Sequence, residues 1–61
     1  MKEVEIEGEV KRETDAAVLF YNGKTEAWVP KSQITDQSED DDGNIESIFL
    51  PEWLALEKGL I

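Results

Sequence analysis

Acidic side chains are the residues of this chain whose type and spacing could do chemistry. The segment VEIEGEV alternates apolar residues with glutamates, so that the glutamates share one face of a strand. Residues two apart on a strand lie about 6.6 Å apart, and such a line of negative charge can occupy a basic groove built for nucleic-acid phosphates. We therefore expect a protein partner to bind this row, which consists of Glu3, Glu5, Glu7 and Glu9.

A second acidic group lies in the segment TDQSEDDDGN, residues 35–44, which contains no apolar residue. Because such a segment cannot offset its ordering entropy by burial, the sequence predicts a mobile acidic loop. We predict that Asp40, Asp41 and Asp42 contact the same partner as the glutamate row. A calcium loop is not expected, since Phe49 stands where an EF-hand has its bidentate glutamate. The alternative for both acidic groups is a solvated surface, which on a strand also prevents edge-to-edge aggregation.

Catalysis is not expected from this composition. The chain has no histidine and no cysteine, so the usual proton shuttle and the strongest nucleophile are both missing. Lys31 and Ser32 are adjacent and would point to opposite sides of an extended segment, which is a poor geometry for a Ser/Lys pair. We therefore predict no enzymatic activity, no metal and no other cofactor.

Length and charge limit the class of protein. The 61 residues are enough for one small domain, and 15 acidic against 6 basic residues give a net charge of -9. This charge repels nucleic-acid phosphates and anionic lipid, so direct nucleic-acid binding and membrane binding are not expected. No apolar run approaches the roughly 20 residues of a membrane span, and glutamates stand where a signal peptide would be apolar. We expect a cytoplasmic protein.

A β-hairpin is predicted in the middle of the chain. Asn22-Gly23 favours a two-residue type I′ turn between strands at about 16–21 and 24–29. That turn would place Tyr21 opposite Lys24 and Ala17 opposite Trp28. One face of the hairpin would then be apolar and face the core. The other face would carry three large side chains, Leu19, Tyr21 and Trp28.

The C-terminal third predicts a strand followed by a short helix. IESIFL, residues 45–50, has strand character, and PEWLALEKGL begins with a proline suited to the first helical position and contains a terminating glycine, Gly59. Leu60 is expected to fold back on the helix as in a Schellman cap. We expect Trp53, Leu54 and Leu56 to pack on the aromatic face of the hairpin, because two turns of helix are unstable alone.

Together these elements predict a β-rich α+β fold formed by residues 1–61 as a single domain. The expected architecture is a four-stranded, bent antiparallel meander, of which an SH3-like small barrel is one form, with one short C-terminal helix. Edge strands and a small core also make self-association an open alternative.

The junction EAWVPKSQI, residues 26–34, is an alternative site. Pro30 cannot donate to a sheet ladder and naturally ends the strand. Lys31, beside it, is suited either to an ion pair with nearby carboxylates or to a partner contact. In an SH3-like peptide-binding or scaffold module the aromatic groove would consist of Tyr21, Trp28, Lys31 and Trp53.

The runs WVPKSQI and LPEWLALEKGL resemble those of short uncharacterised proteins encoded in phages and prophages. The resemblance runs from about Ala16 to Leu60 and omits the acidic loop. It implies a phage setting and transfers no catalytic residue. Because tiny acidic phage proteins often inhibit host defence nucleases, it implies an interaction protein that binds a basic surface on a host nucleic-acid-handling protein and inhibits it. The residues that carry the resemblance are Trp28, Pro30, Lys31, Ser32, Gln33, Pro51, Trp53, Leu54, Lys58 and Gly59.

Overall fold

The fold consists of two three-stranded antiparallel sheets and one short helix. The computed structural model describes residues 2–61. One sheet has the strand order β1-β6-β5 and the other has the order β2-β3-β4. The elements are β1 (Glu3–Glu7), β2 (Glu9–Glu13), β3 (Ala17–Tyr21), β4 (Glu26–Pro30), a 3₁₀ turn (Lys31–Gln33), β5 (Asp36–Glu39), β6 (Ile45–Pro51) and α1 (Glu52–Glu57).

The predicted fold class is therefore confirmed in its coarse form and wrong in its detail. The chain is β-rich with one short C-terminal helix, as predicted. The described residues contain six strands and not four, however, and the two sheets do not close into an SH3-like barrel. The two additional strands come from two predicted elements. The predicted first strand is divided into two strands, and part of the predicted acidic loop is a strand.

Gly8 divides the predicted first strand into β1 and β2, which belong to different sheets. Its amide donates to the carbonyl of Glu46 at 2.9 Å, on the sheet that contains β1. A Cβ atom at this position would lie 2.1 Å from the carbonyl oxygen of Tyr21, on the other sheet. A side chain therefore does not fit where the chain crosses from one sheet to the other, and the glutamate row is not carried by one continuous strand.

The β3–β4 hairpin has a longer turn than predicted. The Asn22 amide donates to the Thr25 carbonyl at 3.2 Å, and the Asn22 side-chain oxygen accepts hydrogen bonds from the amides of Lys24 and Thr25. These bonds stabilise a four-residue turn, with φ of +102° at Gly23. The two-residue turn predicted from Asn22-Gly23 is therefore wrong.

The longer turn shifts the strand register by two residues. Tyr21 lies opposite Glu26, and Trp28 lies opposite Leu19 and not opposite Ala17. Because the side-chain period of a strand is two, this shift leaves every residue on its predicted face. The predicted core face is accordingly buried, with Val18, Phe20 and Val29 at most 4% exposed.

Residues 36–39 of the predicted acidic loop form β5, which pairs with β6. The chain then reverses in a turn at residues 40–44. The Asp40 carboxylate accepts hydrogen bonds from the amides of Asp42 and Asn44, each at 2.9 Å, and Gly43 has φ of +84°. The acidic segment is thus partly a strand, because β6 offers it a ladder of backbone partners. Its mobility stays a prediction.

Helix α1 packs against β1 and β6 and not against the hairpin's aromatic face. It buries Leu54 and Ala55, whereas Trp53 and Leu56 are 50% and 58% exposed. The prediction that these last two pack on the sheet is wrong. They are three residues apart and share a helix face, and a six-residue helix buries only its opposite side.

The predicted Schellman cap is confirmed. The Leu60 amide donates to the Ala55 carbonyl at 2.9 Å, and the Gly59 amide donates to the Leu56 carbonyl at 3.2 Å. Gly59 has φ of +74°, which the motif requires, and Leu60 is buried. Among residues 2–61, no helix has the length and apolar composition needed to cross a membrane.

Candidate functional site

An open cleft of about 1000 Å³ lies where β2 separates from β6. The two strands diverge beyond the hydrogen bond between Gly8 and Glu46, since β2 follows the second sheet. The first side of the cleft consists of β1 and β2 and the second of β5, β6 and the turn between them, with β1 and β6 paired in one sheet. The lining residues are Glu5, Glu7, Gly8, Glu9, Val10, Glu13, Ser38, Asp40, Gly43, Asn44, Ile45, Glu46 and Ser47.

The first side of the cleft contributes four glutamates. Glu5 and Glu7 come from β1, and Glu9 and Glu13 come from β2. In β1 the alternating pattern directs Glu5 and Glu7 away from the core, where Ile6 is buried. A bulge between Val10 and Arg12 interrupts the alternation in β2, so Glu9 lies opposite Tyr21 and Glu13 lies opposite Val18, on different faces of the sheet. The absence of a side chain at Gly8 lets the chain turn between Glu7 and Glu9 without leaving the cleft.

The second side contributes Asp40 and Glu46. Asp40 is fixed by its two hydrogen bonds to the turn amides, so its position is set by the turn. Glu46 is exposed and lies at the start of β6, next to the buried Ser47. The Ser47 hydroxyl donates to the Glu5 carboxylate at 2.7 Å, a bond between the neighbouring strands β6 and β1.

Two lysines balance part of this charge. Lys11 forms an ion pair with Glu9 at 2.9 Å, and Lys31 forms one with Glu13. The hydrogen bond that Lys11 donates to Glu9, and after it the Coulomb attraction of Glu9, raises the pKa of Lys11 above its ordinary value of 10.5. In the described part of the chain, no ion pair involves Glu5, Glu7, Asp40 or Glu46. Four carboxylates of the cleft therefore have no cation to balance them.

The predicted acidic residues divide into two groups. Glu5, Glu7, Glu9 and Asp40 line the cleft together, although the sequence placed them in two separate segments. Glu3, Asp41 and Asp42 are exposed but do not line it.

Glu13 and Glu46 line the cleft and were not predicted. The odd-numbered glutamate series does not predict the position of Glu13, because the bulge between Val10 and Arg12 places it on the face of Val18 and not on that of Glu9. Glu46 has no signal in the sequence either, because its position depends on the pairing of β6 with β1.

Two residues of the alternative aromatic site lie on one sheet face. Tyr21 and Trp28 are on the outer face of the β2-β3-β4 sheet with Leu19, and Trp28 is 43% exposed. The Lys11 ammonium lies 5.1 Å from the Tyr21 ring centroid, which is within cation–π range. Trp53 is carried by α1, which packs on the other sheet.

Lys31, the fourth residue of that site, forms an ion pair with Glu13. It borders a second cavity of about 360 Å³ between the sheets, together with its ion-pair partner Glu13 and apolar residues that include Ile34 and Ile48. An ion pair to a carboxylate was one of the two roles anticipated for this lysine. The pair joins the end of β2 to the 3₁₀ turn that follows β4, at the same sheet.

Within residues 2–61, no three acidic side chains are grouped closely enough to hold a metal ion. The cleft carboxylates thus form an extended negative surface with no chelating centre. Comparison with protein-family models, with curated proteins and with solved structures found no match to the chain.

Proposed function

We propose that this chain is a non-enzymatic interaction protein that binds a basic segment or surface of a partner protein in the acidic cleft. The observation that carries the proposal is that six acidic residues, from both sheets and the β5–β6 turn, line one open cleft. Only two of the six have a lysine partner.

The charge of the cleft favours a cationic ligand on physical grounds. Like charges held close together raise one another's electrostatic energy, and a bound cation relieves this repulsion. The walls are strands of two packed sheets, so the carboxylates are positioned before binding and little conformational entropy is lost. Such complementarity raises association rates and selects against acidic partners.

We further propose that the partner is a host nucleic-acid-handling protein, that the chain is encoded by a phage or prophage, and that it acts in the host cytoplasm. A basic groove that normally holds phosphates is the complement of a cleft lined by carboxylates. The resemblance of the WVPKSQI and LPEWLALEKGL runs supports the phage setting. On this proposal the protein inhibits its partner by occupying the phosphate site and does not itself bind nucleic acid.

The test is an affinity capture from nuclease-treated bacterial lysate, eluted with a salt gradient. The cleft variant carries Glu7→Lys and Glu46→Lys, two exposed positions without a recorded side-chain hydrogen bond or ion pair. The control variant carries Asp15→Lys and Glu57→Lys, which make the same change in net charge at exposed positions outside the cleft.

We expect the wild type and the control to retain a stoichiometric partner that is released at moderate salt, and the cleft variant to lose it. Exposed charge contacts weaken as salt screens them, so elution at moderate salt supports the electrostatic mechanism. Equal loss in both variants would mean that net charge alone attracts the partner. Full retention by the cleft variant would refute the proposed site.

The second candidate is a peptide-binding or scaffold module that uses the outer face of the β2-β3-β4 sheet. The observation in its favour is the exposure of Trp28 beside Tyr21 and Leu19. Substitution Trp28→Ala separates the candidates, because it removes the aromatic surface and leaves the cleft unchanged. Loss of a captured partner on this substitution, with retention in the cleft variant, would favour the second candidate.

A further inference from the structure

Strand β4 has an unpaired backbone edge. It is the last strand of the β2-β3-β4 sheet. The Asn22 amide donates to the Thr25 carbonyl, and the Lys31 amide donates to the Ala16 carbonyl. Between these two pairs, the opposed residues of β3 and β4 alternate between hydrogen-bonded and non-hydrogen-bonded pairs. It follows that Glu26, Trp28 and Pro30 direct their backbone groups away from β3.

No recorded hydrogen bond among residues 2–61 uses the amides or carbonyls that Glu26 and Trp28 direct outward. Unpaired edges of this kind accept a further strand. Trp28, at the middle of the five-residue strand, is 43% exposed and adds apolar surface beside the free backbone groups.

Charge distinguishes this edge from the other edge strands of the two sheets, β1, β2 and β5. Residues 16–35 contain two lysines, Lys24 and Lys31, and one acidic residue, Glu26, in a chain with a net charge of -9. Strand β1 carries three glutamates, β2 carries two glutamates beside Lys11 and Arg12, and β5 carries Asp36 and Glu39. A second copy of so acidic a chain therefore meets the fewest carboxylates at β4, where Glu26 is the one acidic residue.

We propose that two copies of the chain associate through β4, with the strands antiparallel about a two-fold axis at Trp28. In this register Trp28 lies opposite Trp28 of the second copy, and Glu26 lies opposite Pro30. No two carboxylates face each other. The two Trp28 residues exchange two backbone hydrogen bonds. Each Glu26 amide meets a Pro30 carbonyl, which as the N-cap of the 3₁₀ turn already accepts the first bond of that turn and offers only its second lone pair. Pro30 has no amide to donate in return.

The pairing joins the two β2-β3-β4 sheets into one continuous six-stranded sheet. Its contact is one short strand on each copy, well below the roughly 1,200 Å² that stable interfaces bury. We therefore expect a weak dimer, with a dissociation constant on the order of 100 µM or higher, which becomes stronger as salt screens the net charge. This dimer leaves the acidic cleft open and does not depend on the function proposed for it.

The test uses charge at the two-fold axis and sedimentation velocity at about 1 mM protein and about 0.3 M salt. The Trp28→Lys and Trp28→Glu variants each place like charges opposite each other, and we expect each alone to remain monomeric. An equimolar mixture places opposite charges together, and we expect it to recover the dimer. The control Leu56→Lys changes an exposed residue of α1 and is expected to dimerise as the wild type does.

A wild type that stays monomeric under these protein and salt concentrations would overturn the proposal. A mixture that fails to recover the dimer while both variants remain folded would also overturn it. Dimerisation of Trp28→Lys alone would also overturn it. A single-cysteine variant gives a second readout, because the chain has no cysteine. Directly opposed residues in this register have Cα atoms about 5.5 Å apart, within disulfide range, so Trp28→Cys is expected to cross-link under oxidation and Leu56→Cys is not.

Discussion

The substitution Gly8→Ala tests the crossing of the chain between the two sheets. The new methyl carbon would lie 2.1 Å from the Tyr21 carbonyl oxygen and 3.0 Å from two ring atoms of Phe20. Ordinary carbon–oxygen contacts are about 3.3 Å or longer, so the backbone must move by about 1 Å. Phe20 is fully buried and has no free space into which it can retreat.

The magnitude follows from two costs and one gain that partly offsets them. Overpacking typically costs about 1–3 kcal/mol, and weakening the hydrogen bond from Gly8 to Glu46 adds about 1 kcal/mol. Alanine also gives the unfolded chain less conformational entropy than glycine does, which stabilises the folded state by about 0.4–1 kcal/mol. We expect a net loss of about 2–3 kcal/mol, a large part of the roughly 3–9 kcal/mol expected for a domain of 61 residues.

Urea unfolding followed by circular dichroism measures this loss. With a slope of about 1 kcal/mol per molar urea, the midpoint should fall by about 2 M. The control is Gly23→Ala, where nothing lies within 4 Å of the new methyl group and only the positive φ of +102° opposes it, at a cost of about 1–2 kcal/mol. If Gly8→Ala were as stable as the wild type, or more stable, the proposed close approach of the two sheets would be wrong.

Three further predictions concern the surface and the helix end. Gly59→Ala should lower the free energy of unfolding by about 1 kcal/mol, because the Schellman cap holds this residue at φ of +74°, and urea unfolding checks this. Both tryptophans should show red-shifted fluorescence emission, since each is about half exposed. Caesium should quench them more readily than iodide, because the protein is acidic and attracts cations. Blue-shifted emission that is protected from both quenchers would contradict their exposure. Glu9 raises the folded-state pKa of Lys11, so the contribution of this ion pair to stability is complete below the unfolded-state pKa and is lost as the pH rises through the folded-state pKa. The melting temperatures of the wild type and of Glu9→Gln should therefore converge at high pH. A difference in melting temperature that does not change at high pH would argue against the ion pair.

Patterns of side-chain burial were predictable from the sequence, whereas pairings that depend on turn geometry were not. The core positions Val18, Phe20 and Val29 follow from alternation alone, and the two-residue register shift preserves them. The shift itself arises from hydrogen bonds of the Asn22 side chain to two amides, which the Asn-Gly signal does not encode.

The helix end was also predictable, since Gly59 and Leu60 match a local motif whose bonds are all within the segment. The helix face was not predictable. Which side of α1 is buried depends on the distant strands β1 and β6, and this tertiary choice leaves Trp53 exposed.

Individual residues of the cleft were likewise predictable from the sequence, whereas their arrangement in space was not. Glu5, Glu7 and Glu9 were identified from their spacing, and Asp40 from local charge density. That they line one cleft with Glu46 results from the sheet change at Gly8 and from the formation of β5 in a segment without apolar residues. Neither feature has a signal in hydrophobic periodicity, because both arise from backbone partners far away in the sequence.

The most direct test of the central claim is a ¹H–¹⁵N NMR titration of the wild type, the cleft variant and the matched control with an arginine-rich octapeptide. The account predicts that the largest shift changes occur at the amides of Glu7, Gly8 and Glu46, that the control retains them, and that the cleft variant loses them. Shift changes spread evenly over the acidic surface, or centred on Asp41 and Asp42 at the turn, would contradict the claim that the cleft is the binding site.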